Sequence, residues 1–172
     1  FVWARGSTEL PPMGYFVGDS LKSYVDKAIP GIVTFPVYYA ASITTNIAIA
    51  RTDDASIKIG RETFEKAWAA CKGRTIIAGG YSQGAAVMTN VIPKLPAEMK
   101  EKIAAVALFG STMNYQTSGH VPNFPKEKSR TWCNATDGVC GGSLLVNLGH
   151  LSYSNSQISE AATWMAGLVK AA

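Results

Sequence analysis

The chain has 172 residues, 47% hydrophobic and 16% charged, which suits one domain with a real core and excludes a disordered chain. Sixteen Lys and Arg against twelve Asp and Glu give a formal charge of +4, but the basic residues are scattered, densest at Lys126, Lys128 and Arg130, so no nucleic-acid partner is expected. No run of about 18 uncharged apolar residues exists, so no integral membrane span is expected.

Taken in chain order, Val2–Ala4 reads as a strand at the very start of the chain. With no initiator Met and no basic, apolar leader, this reads as a processed chain. From Gly14 to Ala28, Val17, Leu21, Tyr24, Val25 and Ala28 recur three and four apart, which predicts an amphipathic helix ended by Pro30-Gly31. Ile32–Val37 is β-branched and aromatic, hence a strand. Tyr38–Ala50 has no period and reads as a loop. Asp53 is a good N-cap for a helix whose inner stripe runs Ile57, Gly60, Phe64, Ala67, Trp68 and Cys71, closed by Gly73.

Thr75–Ala78 is apolar on both faces, as at the centre of a parallel sheet. A helix over Gly84–Ile92 stops at Pro93. Ile103–Phe109 is a second doubly buried strand, Gly110–Glu127 a loop, and Arg130–Cys133 a last short strand. A final helix from Gln157 turns Ile158, Ala161, Ala162, Met165, Leu168 and Val169 inward. Strands alternating with helices predict a single α/β domain over 1–172, with a parallel sheet of about five strands, helices on both faces and no lid. Sites in such folds lie in loops beyond the carboxyl ends of the strands.

Gly80-Tyr81-Ser82-Gln83-Gly84 falls at the junction of the central strand and a helix, and fits the Gly-x-Ser-x-Gly nucleophile elbow. The turn is tight, so a glycine on each side lets neighbouring backbone pass close. The helix that follows points free N–H groups at the site, and the N–H of Gln83 is the natural first donor to an oxyanion. Against this stands a plain Gly-rich turn with a solvated serine. A serine nucleophile needs a base, and histidine suits neutral pH. The chain order Ser82, Asp137, His150 is that of α/β hydrolases, whereas His120 precedes the acid and is expected to be an ordinary loop histidine.

Of three cysteines, Cys133 and Cys140 are seven apart and bracket Asp137. A disulfide there would hold the acid-bearing loop and implies an oxidising, secreted setting. Asn134-Ala135-Thr136 is a glycosylation sequon beside the acid, expected to be unoccupied or tilted away. No metal-ligand spacing is present, and neither metal nor cofactor is expected.

These pieces together resemble the fungal cutinase family, small secreted serine esterases without a lid. The matching residues are Ala4-Arg5-Gly6-Ser7-Thr8-Glu9, Ile77 through Ala86, Val121-Pro122-Asn123-Phe124-Pro125, Cys133-Asn134, Asp137 to Cys140, Gly142-Ser143-Leu144, and His150-Leu151-Ser152-Tyr153. The resemblance implies Ser82, Asp137 and His150 as a triad. It implies an oxyanion hole from the Gln83 N–H with the backbone N–H and hydroxyl of Ser7, and Asn46 as a support for that hydroxyl. It also implies a second disulfide to Cys71 from a cysteine upstream of Phe1, with a plain buried thiol as the alternative. The chain departs from the family at Leu148-Gly149, where a small residue and proline are common, and in the Tyr38–Ala50 loop.

Apolar residues fall where the mouth of such a site would be. Tyr38, Tyr39, Ile43 and Ile47 lie on one side and Leu144, Val146 and Leu148 on the other, with Leu145 expected to pack inward. The candidate substrate-contacting residues are Tyr38, Ile43, Asn46, Leu144, Val146 and Leu148. An open apolar groove suits bulky or polymeric esters, cleaved by a monomer. Two alternatives remain: an acetylxylan esterase with the same fold and triad, and a non-catalytic hydrolase-like binding protein.

Overall fold

The computed structural model describes all 172 residues, Phe1–Ala172. Five strands form one sheet: β1 (Val2–Ala4), β2 (Phe35–Pro36), β3 (Ile76–Tyr81), β4 (Ile103–Phe109) and β5 (Ser129–Trp132). Their order is β2-β1-β3-β4-β5, and every pair is parallel. The longer helices are α1 (Gly18–Ala28), α2 (Asp54–Ala70), α3 (Gln83–Val91) and α7 (Asn155–Ala171). Three shorter ones are α4 (Ala97–Lys102), α5 (Asn114–Thr117) and α6 (Leu148–Leu151).

Strand alternation divides the core into two layers. On β4, Val106 and Leu108 face Phe64, Val87 and Met88 of α2 and α3. Ala105, Ala107 and Phe109 face Leu21 and Val25 of α1 and Ile158 and Met165 of α7. Because both faces are covered, β1, β3 and β4 carry no polar side chain directed to water.

Several boundaries differ from the sequence reading, each for a local reason. Helix α1 starts at Gly18 rather than Gly14, because Gly14 has φ +84° in a turn over residues 11–17. The strand read over Ile32–Val37 pairs only at Phe35–Pro36. It is an edge strand, and Pro36 has no N–H to extend a ladder. The loop 38–50 contains a 3-10 turn over Ile43–Ile47. Strand β3 runs on to Tyr81, since Gly79 and Gly80 stay extended where a glycine pair suggests a turn. Helix α4 is missed in the sequence because six residues show too little periodicity. Helix α7 begins two residues early at Asn155, where Ser154 and Gln157 form a capping box.

Candidate active site

Strand β3 delivers Ser82 at the carboxyl edge of the sheet. Ser82 adopts φ 57°, ψ −118°, a conformation that bulky residues avoid and that only an over-determined turn sustains. Its N–H is anchored to Phe109 O at 2.9 Å. Space forces the flanking glycines. A Cβ on Gly80 would lie 2.4 Å from the backbone carbon of Gly84, and one on Gly84 would lie 1.9 Å from Ala4 O.

The Ser82 hydroxyl lies 2.9 Å from His150 Nε2, and His150 Nδ1 lies 2.9 Å from Asp137 Oδ2. An ionised carboxylate only accepts, so Nδ1 carries the hydrogen and Nε2 accepts from Ser82. Asp137 and His150 are 4% and 2% exposed. Burial pushes the Asp137 carboxyl up. Hydrogen bonds from His150 and Tyr153, the His150 charge and the Val139 N–H outweigh it and hold the group below its usual value. The carboxylate is therefore ionised at neutral pH.

Two short loops place Asp137 and His150. Asp137 lies in the loop closed by the Cys133–Cys140 disulfide, and its Oδ1 accepts the Val139 N–H at 3.0 Å. His150 lies in α6, capped by Asn147, whose Oδ1 accepts the His150 N–H. The loops are tied together. Asn147 Nδ2 donates to Thr136 O at 2.8 Å, and Asn134 Nδ2 donates to Gly149 O at 2.8 Å and Ser152 O at 3.3 Å. The amide that a glycan would use is thus turned toward the histidine loop. Gly149 is accounted for by the same contact, since a Cβ there would lie 2.4 Å from Thr136 Oγ1.

Closing a loop of this length removes about 2–3 kcal/mol of unfolded-state entropy. The double variant Cys133→Ser, Cys140→Ser is expected to melt about 5–10 °C below the parent. Scanning calorimetry, run beside the reduced parent protein, measures it. An unchanged midpoint would show that the bond does not constrain this loop.

Ser7 enters from the loop after β1. Its hydroxyl donates to Gln83 Oε1 at 2.7 Å and accepts from Asn46 Nδ2 at 2.8 Å. Gln83 Nε2 in turn donates to Thr45 Oγ1 at 2.6 Å and Thr52 Oγ1 at 3.1 Å. The fully buried Gln83 side chain therefore fastens the Ser7 loop to the 43–52 segment. As the first residue of α3, Gln83 has no intrahelical acceptor for its own N–H. Arg5 braces the loop from below: its guanidinium donates to Glu9 O, Val37 O and Tyr39 O, and the Tyr39 hydroxyl returns a bond to Arg5 O at 2.5 Å. The Glu9 carboxylate accepts the Gly6 and Phe16 N–H groups. Burial raises its pKa, partly offset by those two bonds.

A cleft of about 440 Å³ opens over Ser82. Ile43, Ile47, Leu144, Val146, Phe16 and Leu151 form its apolar walls, and Ser7, Asn46 and His150 also border it. Two expected wall residues lie elsewhere. Tyr38, 64% exposed, follows the edge strand and lines a separate groove with Phe35, Ile59 and Thr63 of α2. Leu148, 82% exposed, opens α6 and points to solvent, while the turn carries His150 and Leu151 to the cleft. Leu145, expected inside, is 80% exposed, and Tyr39 is buried. His120 stands apart from the site, its Nδ1 3.2 Å from Ser129 O. Cys71 is unpaired and half-buried at the end of α2.

The sequence alone points to no role for Arg5, Glu9, Phe16, Thr45, Thr52, Tyr81 or Tyr153. For Tyr153 a signal exists, three residues after His150, but only the fold shows that its hydroxyl meets Asp137. No three His, Cys, Asp or Glu side chains converge anywhere in the molecule. No helix is long and apolar enough to cross a membrane.

The family model described as Cutinase matches residues 1–169. "Probable cutinase 5" of Aspergillus terreus is 40% identical over 172 residues, covering 98% of this chain and 78% of that protein. A Trichoderma reesei cutinase in complex with a phosphonate inhibitor superposes with a TM-score of 0.82 at 27% identity, over 98% of this chain and 75% of that one. An acetylxylan esterase structure shares the fold, with a TM-score of 0.79 at 18% identity over 98% and 97% of the two chains.

Proposed function

The chain belongs to the cutinase family of carboxylic ester hydrolases, and from that premise we propose that it is a secreted, monomeric serine esterase acting on cutin, other polyesters and short-to-medium acyl esters. The observation that carries the reading is the buried relay Ser82–His150–Asp137 opening into an apolar cleft. Secretion draws support from the disulfide on the acid loop.

In this reading His150 takes the Ser82 proton as Oγ attacks the ester carbonyl, while Asp137 steadies the imidazolium without becoming protonated. The N–H groups of Gln83 and Ser7 receive the oxyanion, with the dipole of α3 behind the first, whereas the Ser7 hydroxyl, expected to join them, has its hydrogen donated to Gln83 Oε1. Asn46 and Gln83 hold Ser7 in place rather than touching the reacting atoms. His150 then protonates the leaving alcohol, and water, activated by the same imidazole, releases the acid from Ser82. The acyl chain runs along Ile43, Ile47, Leu144 and Val146. These walls favour chains longer than acetyl, because each buried methylene contributes about 0.8 kcal/mol.

A p-nitrophenyl ester series from acetyl to octanoyl, with a polyester film beside it, tests the substrate side. The expected result is a kcat/KM about 15-fold higher for butyryl than for acetyl, about 4-fold for each of the two added methylenes, with release of soluble acid from the film. A maximum at acetyl with no film attack would favour the acetylxylan esterase reading. Fluorophosphonate labelling located at Ser82 by mass spectrometry tests the nucleophile separately.

A further inference from the structure

The Tyr153 hydroxyl donates to Asp137 Oδ2 at 2.6 Å, the same oxygen that receives His150 Nδ1. We propose that Tyr153 is a positioning residue of the relay, acting through Asp137 by sharing its inner oxygen with the histidine. The proposal rests on the reading of Ser82, His150 and Asp137 as the catalytic relay.

The surroundings define the direction of this bond. The hydroxyl oxygen accepts the Asn134 N–H at 3.4 Å, so its single hydrogen is free for the carboxylate. Burial, and then the Asp137 charge, push the phenol pKa up, so the group stays a donor at any working pH. The ring is fixed edge-on against Tyr81 and Phe109, with centroids 6.1 and 5.7 Å away. The other acceptor within reach is the Cys140 disulfide sulfur at 3.9 Å, a weak and distant one, so the 2.6 Å bond to the carboxylate holds the hydrogen. Together with the Val139 N–H on Oδ1, it fixes the carboxylate plane toward the imidazole. It also withdraws part of the charge that would otherwise hold the Nδ1 hydrogen.

The other titratable groups facing the pair are few. Tyr81, from the end of β3, stacks on the His150 ring at 5.1 Å and donates to His150 O at 2.6 Å. Glu9 faces the Tyr81 hydroxyl, whose pKa burial and then the Glu9 charge push up. Neither offers Asp137 a hydrogen, so nothing replaces the phenol when it is removed.

Tyr153→Phe keeps the ring and deletes the donor. Two effects are expected on p-nitrophenyl butyrate. The first is a fall in kcat of about five- to tenfold with KM within twofold, the size expected for one lost hydrogen bond. The second is an acidic limb of kcat/KM displaced upward by about half a pH unit. The sign follows from charge: the freed carboxylate binds the Nδ1 hydrogen more tightly, so the protonated, inactive base persists to higher pH. In the parent protein, proton NMR should show a slowly exchanging hydroxyl signal with a cross-peak to the His150 Nδ1–H. Fluorophosphonate labelling of Ser82 in the parent separates the two readings. Labelling with an unmoved pH limb in Tyr153→Phe would overturn the positioning role and leave the relay standing. Absence of labelling would remove the relay and this role with it. A variant that loses its near-ultraviolet dichroism would assign the hydroxyl to folding instead, which also overturns the proposal.

Discussion

Replacing Ser82 with alanine is expected to lower kcat on p-nitrophenyl butyrate by about 10⁴–10⁶-fold while leaving the fold intact. In the proposed mechanism relay members act as a unit: without the hydroxyl, His150 and Asp137 would have nothing to activate, and only the oxyanion donors and binding would remain. The fold survives because Ser82 Oγ bonds only to His150, while the backbone N–H that holds the turn to Phe109 O is untouched. Single-turnover kinetics with matched dichroism spectra measures both halves. Residual activity within tenfold of the parent would place the nucleophile elsewhere.

The largest effect on stability is expected at Gly84, which lies on no catalytic atom. Its Cα faces the end of β1 so closely that an alanine methyl would lie 1.9 Å from Ala4 O and 2.5 Å from Arg5 O. Both are main-chain atoms of a central strand and the loop leading to Ser7, so neither can swing aside as a side chain would. Gly84→Ala must push α3 off the sheet or move β1, at a cost of at least about 4 kcal/mol, among the larger losses known for a single substitution. Gly167→Ala is the matched control. Nothing lies within 4 Å of its added methyl, and it is inside α7, so a gain of about 0.5–1 kcal/mol is expected. Urea unfolding of the two variants tests the contrast, and equal midpoints would show that the close approach carries no strain.

The doubly buried strands were legible because Ile103–Phe109 offers no polar residue to break the pattern, and the elbow was legible because its glycines obey a spacing that sterics impose. Chain order and the family resemblance pointed to Ser82, Asp137 and His150, three residues that the fold brings into one hydrogen-bonded row. What stayed hidden depends on contacts between distant segments. Nothing near Gln83 in sequence says that its amide joins Ser7 to Thr45 and Thr52. Nothing near Arg5 says that three backbone carbonyls will enclose its charge. The cleft walls were read from hydrophobicity, which says that a side chain can bind but not where it points. Ile43 and Val146 reach the cleft, while Tyr38 and Leu148 do not.

The position of β1 inside the sheet, between β2 and β3, bears on the order in which the molecule assembles. Val2 pairs with Phe35 on one side and with Ala78 on the other, so the first strand is bound through the longest chain closures in the sheet. Strands β3 and β4 meet through a shorter connection and have the lower entropic barrier to pairing. A late-docking β1 leaves one edge of β3 uncovered in the meantime, with Gly84 lacking the carbonyl it packs against. Esterase activity would then return on refolding only as β1 closes the sheet, so its recovery would report the last step of folding rather than the collapse of the core.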